Sequence, residues 1–357
     1  MQGDNNSFPR TYGKEFLFCG ISGIPVGIRS WCDSIEVPTT LLGYGDRGFV
    51  TLVRENEKAS SINVVGAKIL DTRRVLHQKL DNAKTLGICV ELSTASEVWS
   101  NGSIIDEVAE VVEGDGYKLS HAYVLDKKLV FCTPYCDVLE GVDEVVLLRH
   151  AILNSSEKLG ITSSFMPISG GGRCGFGVRL RIKGERSIVT NFCAGVILHS
   201  PECTVFTNSS HPSYVRLNSS GCAHYVCYGN TDGALFKIEF QQDDLILSCN
   251  YADNTGNPYL LIASLIEGGI MGVDHQAKLP DEVEELNPTV TSRLVRLPMS
   301  LKEALTLSEG SGFLKRLLGE SYANLFFAEK RKECKVFDTV VGEGEYAVYY
   351  SKLTKKR

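Results

Sequence analysis

The sequence predicts an α+β fold. Short apolar runs bounded by Gly, Pro and Asn read as strands, while other segments carry a helical apolar stripe. The two kinds of segment are dispersed without the regular strand–helix–strand alternation of a parallel sheet. At 357 residues the chain can hold one large domain and a small one. A shortened N-terminal β domain is expected over 1–65 and the main domain over 66–357.

Residues 14–29 read as strand, tight turn and strand, with Gly20, Gly23 and Pro25 supplying the turn. One or two further strands are expected over 46–65. Asp71 is placed to cap a helix running to about Leu86, on the stripe Leu70, Val75, Leu76 and Leu80. Thr85 to Thr94 reads as a buried strand, followed by a β-rich region to about Tyr135. A long helix is expected from Asp137 to Leu159, stopped by Gly160. Val178 to Ile182 is a strand, and a helix runs from Thr190 to Leu198. Val226 to Phe240 and Leu245 to Cys249 read as strands, and Pro258 to Met271 as a helix. Helices over Ser300–Glu309 and Phe313–Phe337 close the chain. Between them, Asp274 to Pro298 reads as a solvated, acidic linker, and the basic end Lys352, Lys355, Lys356 and Arg357 as a frayed tail.

Composition excludes some functions. A net charge of −6 gives no reason to expect nucleic acid or an anionic membrane as partner. No apolar run reaches the length of a membrane span, and the polar start Met1–Ser7 lacks the core of a secretory signal. The 12 cysteines are scattered singly, and Cys132 and Cys136 lack companion ligands for zinc. They read as reduced thiols, so a cytoplasmic protein is expected.

Several segments then fall into an order that resembles the catalytic domain of the glutamine synthetase family. They are Thr162–Pro167, Ala194–Pro201, Phe206–Asn208, Ser213–Leu217, Asn257–Leu260, Arg296–Leu305, Leu317–Glu320 and Lys330–Glu333. Each is weak alone, and their order and spacing make them strong together. Gly23–Gly27 is similar to a turn of the family's β-grasp N-terminal domain, here shortened. The resemblance implies a curved antiparallel sheet with helices. It also implies amide formation from glutamate, ammonia and ATP, with divalent cations held by glutamates and a histidine. Arginines bind the phosphate and the substrate carboxylate. A transferring phosphoryl group needs such positive charge around it.

Carried over residue by residue, that chemistry is mostly missing. The strand motif Glu-x-Glu reads Glu91-Leu92-Ser93, and two further metal glutamates align with Tyr123 and Val130. The metal-facing histidine aligns with Arg179, whose permanent charge cannot ligate a cation. The flap glutamate aligns with Cys222. Two arginines of the phosphate motif align with Asp232 and Lys237, and the Glu-Phe-Arg motif with Ser248-Cys249-Asn250. Ser93, Tyr123, Val130, Arg179, Cys222, Asp232, Lys237, Ser248 and Asn250 are thus degenerate equivalents. No catalytic residue and no metal ligand set is expected.

Glu91, Arg179, Arg181 and Arg216 are the residues expected at any remnant ligand pocket. Glu91 also reads as an ion-pair partner of Arg179 or Arg181, and Arg216 as a carboxylate binder or a partner of Asp232. His121 and His224 read as ordinary histidines, and Cys222 has no base that the sequence identifies.

The resulting expectation is a catalytically inactive, glutamine synthetase-like protein with a structural, partner-binding or scaffold role. It needs no cofactor, and its partner is another protein or a larger assembly, with self-association left open. Two alternatives stand beside it. One is a divergent ATP-dependent glutamate–ammonia or amine ligase using Mg²⁺ or Mn²⁺. The other is a carboxylate or amino-acid sensor without turnover.

Overall fold

The computed structural model describes residues 15–19, 25–29, 47–50, 52–54, 68–99, 110, 119–125, 128–160, 162–169, 172–219, 224–231, 233–241, 244–339 and 354–355. The N-terminal strands are β1 (Glu15–Cys19), β2 (Pro25–Arg29), β3 (Arg47–Val50) and β4 (Leu52–Arg54). β1 pairs antiparallel with β2 and β4. β3 pairs parallel with β5 (Lys68–Asp71), so the division expected after residue 65 passes between two paired strands.

One long strand organises the main sheet. β6 (Gly87–Trp99) carries β9 (Cys136–Asp137) and β8 (Lys128–Cys132) on one edge, and β7 (His121–Leu125) continues outward from β8. Its other edge carries β13 (Phe176–Lys183) and β10 (Thr162–Ser164). Beyond β13 lie β16 (Asp244–Cys249), β15 (Ala234–Phe240) and β14 (Tyr225–Tyr228). The ladders are antiparallel except for β14 on β15. A separate hairpin pairs β11 (Ile168–Ser169) with β12 (Gly172–Arg173).

Alternation along β13 decides which face is which. In Phe176-Gly-Val-Arg-Leu-Arg-Ile-Lys183, Phe176, Val178, Leu180 and Ile182 are buried. Each buried aliphatic side chain stabilises by about 1.5–3 kcal/mol. A one-residue slip would send Arg179 and Arg181 into the core, so register is fixed. The opposite face, with Gly177, Arg179, Arg181 and Lys183, stays open.

Helices cover the apolar face. They are α1 (Thr72–Asn82), α2 (Val138–Lys158), α3 (Arg186–Leu198), α4 (Ser200–Thr207), α5 (His211–Leu217) and α6 (Pro258–Asp274). Asn257 caps α6, its side-chain oxygen accepting from the N–H groups of Tyr259 (3.0 Å) and Leu260 (3.3 Å), with Pro258 at the first turn. Nearly every side of α6 is buried, as its all-round apolar sequence requires. A Cβ on Gly195 would lie 2.6 Å from the Cα of Gly272, so glycines let α3 cross α6 backbone to backbone. After a single turn, α7 (Pro288–Thr291), come α8 (Leu301–Ser311), α9 (Phe313–Leu318) and α10 (Glu320–Thr339).

Several expectations need correction. The helix expected over Phe313–Phe337 is two helices, broken at Gly319, whose φ is +77°. The strand expected over Val226–Phe240 is β14 and β15, separated by a turn with Gly233 at φ +97°. α4 and α5 were not expected, because their sequences lack a clean helical stripe. The acidic linker is bound to the sheet rather than simply solvated: Val226 N–H donates to the Val295 carbonyl, Leu297 N–H to that of His224, and Val283 N–H to that of Tyr228. The basic tail contributes β17 (Thr354–Lys355), antiparallel to β10. No helix among the described residues is long and apolar enough to cross a membrane.

Candidate functional site

The open face of the sheet collects most of the residues singled out by sequence. Directly opposed residues of an antiparallel pair point to the same face, as do residues two apart on one strand. Tyr123 opposes Val130, which opposes Ala95. Ser93, two residues from Ala95, opposes Gly177 and Cys132. Glu91 opposes Arg179, Arg179 opposes Ser248, and Ser248 opposes Lys237. Seven residues from six strands, Glu91, Ser93, Tyr123, Val130, Arg179, Lys237 and Ser248, therefore share one surface with Arg181. Asn250 follows the end of β16 and is exposed. Cys222 and Asp232 lie outside the described residues.

Opposite charges on this face lie against one another in two groups. Arg179 Nη1 donates to Glu91 Oε1 at 3.0 Å, and Arg179 Nη2 lies 3.8 Å from Glu239 Oε1. Arg181 and Lys183 both approach Asp244, at 3.9 and 3.7 Å. Tyr135 roofs the two arginines: its ring centroid is 4.1 Å from the Arg181 guanidinium carbon and 5.6 Å from that of Arg179. Lys237 donates to the Asn230 side-chain oxygen at 3.1 Å.

The titration behaviour follows from these contacts. Burial works against the Arg179 charge, but the Glu91 hydrogen bond, with Tyr135 and Glu239 nearby, holds its pKa above the ordinary value. Burial, and then the Glu91 charge, push the Cys132 thiol up to about 11. Burial raises Tyr123 as well, with Cys132 and Glu91 adding to it. Neither Cys132 nor Tyr123 is thereby activated as a nucleophile or base near neutral pH.

A divalent cation does not fit this donor set. Among the described residues no three His, Cys, Asp or Glu side chains are grouped to hold a metal ion. The one carboxylate kept at the expected ligand positions, Glu91, already accepts from a guanidinium that repels a second cation.

Arg216 is placed differently. It sits on α5, only 5% exposed. It donates to Asn208 Oδ1 at 2.8 Å and to the Tyr251 carbonyl, and lies 3.6 Å from Asp253 Oδ2. Asp253 in turn accepts from the Thr255 N–H and hydroxyl at 2.9 and 2.6 Å. Arg216 thus ties α5 to the segment before α6, through a partner the sequence did not suggest. His121 stacks on Tyr123, and burial lowers the pKa of His224.

Sequence reasoning missed Tyr135 and gave Glu239 and Asp244 no place at the site. Glu239 was within reach, because it lies two residues from Lys237 on one strand and so shares its face. No local pattern marks Tyr135, which lies between β8 and β9 and meets the β13 arginines from the far side of β6.

Comparison with known proteins matches this architecture. Residues 129–349 match the family described as the glutamine synthetase catalytic domain. The glutamine synthetase of Pyrococcus abyssi is 28% identical over 221 residues, covering 56% of this chain and 50% of that protein. The gamma-glutamylpolyamine synthetase GlnA3 of Streptomyces coelicolor is 28% identical over 238 residues, covering 58% and 51%. The chain thus spans about half the length of these curated relatives. The solved structure "Apo GmaS without ligand" superposes with a TM-score of 0.71 at 17% identity, covering 93% of this chain and 94% of that one. A "novel glutamine synthase homolog" superposes at 0.69 and 15% identity, covering 82% and 78%.

Proposed function

Because the chain belongs to the glutamine synthetase catalytic-domain family, we propose that it is a catalytically silent member, kept for its shape and for binding a protein partner. The observation that carries this reading is the Arg179–Glu91 ion pair in the middle of the open face. Phosphoryl transfer to a carboxylate needs cations to spread the charge of the transferring group. Here the face offers a single carboxylate at the expected ligand positions, and it is neutralised by the protein itself. Ser93, Tyr123, Val130 and Ser248 bring neutral side chains to the neighbouring positions. On this reading neither Mg²⁺, Mn²⁺ nor ATP is a cofactor.

What the sequence retains is packing. Phe165 and Met166 are buried, Asn257 caps α6, and Tyr259 is buried with its hydroxyl on Asp143 at 2.6 Å. These residues hold the fold and leave the chemistry unserved. A partner that reads the folded surface, another protein or a second copy of the chain, accounts for keeping one without the other.

The competing reading is an ATP-dependent carboxylate–amine ligase, favoured by relatives named as glutamine synthetase and gamma-glutamylpolyamine synthetase. Thermal unfolding with and without MnCl₂ or MgCl₂ plus ATP separates the two. A silent protein melts at the same temperature in all conditions. A ligand bound at a hundred times its Kd would stabilise by about 2.7 kcal/mol, a shift of several degrees. Such a shift would favour the ligase. Stabilisation by glutamate alone would instead favour a carboxylate sensor using the Arg179–Arg181 face.

A further inference from the structure

Arg179 does more than lack the properties of a ligand. Its guanidinium lies between two carboxylates from different strands, Glu91 on β6 at 3.0 Å and Glu239 on β15 at 3.8 Å. Glu91 has little access to water, its side chain being 14% exposed. A carboxylate so placed is costly to bury without an opposite charge beside it. The Tyr135 ring lies beside the guanidinium as well, its centroid 5.6 Å from the Arg179 guanidinium carbon.

We propose that Arg179 is a built-in cation: it neutralises Glu91 and Glu239 as a divalent metal would, and its presence closes this face to metal. The proposal rests on the catalytically silent reading and explains how the face stays folded without an ion. Removing the guanidinium leaves two carboxylates around a gap, an arrangement of hard oxygen donors that Mn²⁺ or Mg²⁺ can enter. Replacing it with imidazole adds a third donor.

The test is thermal unfolding of the full chain, wild type and R179M, R179H and R179M/E91Q variants. Each is measured in MnCl₂ and in NaCl of equal ionic strength. R179M is expected to melt below wild type, and Mn²⁺ to recover about 2–4 °C of that loss beyond the NaCl control. R179H is expected to show a larger Mn²⁺ response, which keeps the test open if R179M does not fold. Wild type and R179M/E91Q are expected not to respond. If neither R179M nor R179H responds to Mn²⁺, or if R179M/E91Q responds as strongly as R179M, Arg179 is not standing in for a cation. A response of wild type itself would instead overturn the silent reading.

Discussion

Arg216 and Asp253 form an ion pair in the interior, 3.6 Å apart, with side chains 6% and 0% exposed. Removing one partner of a buried pair strands the other charge, at a cost of about 3–5 kcal/mol. R216M and D253N are each expected to lose that much in urea unfolding. The double variant is expected to lose less than the sum, because no charge remains stranded. Additive losses would mean that the two residues are not coupled.

Two glycines are expected to respond in opposite directions to alanine. At Gly195 a Cβ would lie 2.3 Å from the Gly268 carbonyl oxygen and 2.6 Å from the Gly272 backbone. Backbone cannot yield as a side chain can, so α3 and α6 must separate. G195A is expected to cost about 1–3 kcal/mol or more. Gly310 lies within α8 with nothing within 4 Å of an added Cβ, so G310A is expected to stabilise by about 0.5–1 kcal/mol. Chemical denaturation of both variants checks the pair.

Tyr135 has its ring over Arg181, while its buried hydroxyl has no hydrogen-bond partner among the described residues. Y135F keeps the ring and removes the unsatisfied hydroxyl. It is expected to be neutral or to stabilise by about 1 kcal/mol. Y135A removes the ring and is expected to destabilise by about 1–2 kcal/mol. Equal losses for both would show that the hydroxyl, not the ring, matters.

The buried thiols set an alkaline limit. Burial pushes Cys132 up to about 11, and Cys174 and Cys249 up to about 12, from an ordinary 9.0. With the folded pKa raised, the unfolded chain loses these protons first. Their contribution is intact below pH 9 and is lost as pH rises toward 11–12. Above pH 9 the free energy of unfolding should fall by about 1.4 kcal/mol per pH unit for each such thiol. Urea titrations at pH 8 and pH 10 measure this, and a flat profile would contradict it.

The parts of the fold legible in sequence were those with strong local patterns. α2 was visible from its length and from Gly160, which has φ +70°. The strand holding Arg179 and Arg181 was expected over Val178–Ile182, and its alternation in the structure puts both arginines on one face. The Glu91 pairing followed once β6 and β13 were adjacent, because register makes the two residues opposite. Tyr135 over Arg181 and Asp253 against Arg216 were not legible, since each joins segments whose sequences say nothing of one another. The 274–298 segment read as linker because its backbone hydrogen bonds to β14 leave no trace in side-chain pattern.

The most direct test of the central claim is phosphate release from ATP by the purified full chain. It is measured with Mg²⁺ or Mn²⁺, glutamate, and ammonia or a set of amines. A silent protein gives no release above the protein-free control in any combination. Release that requires both glutamate and an amine, with a matching yield of amide, would contradict the account.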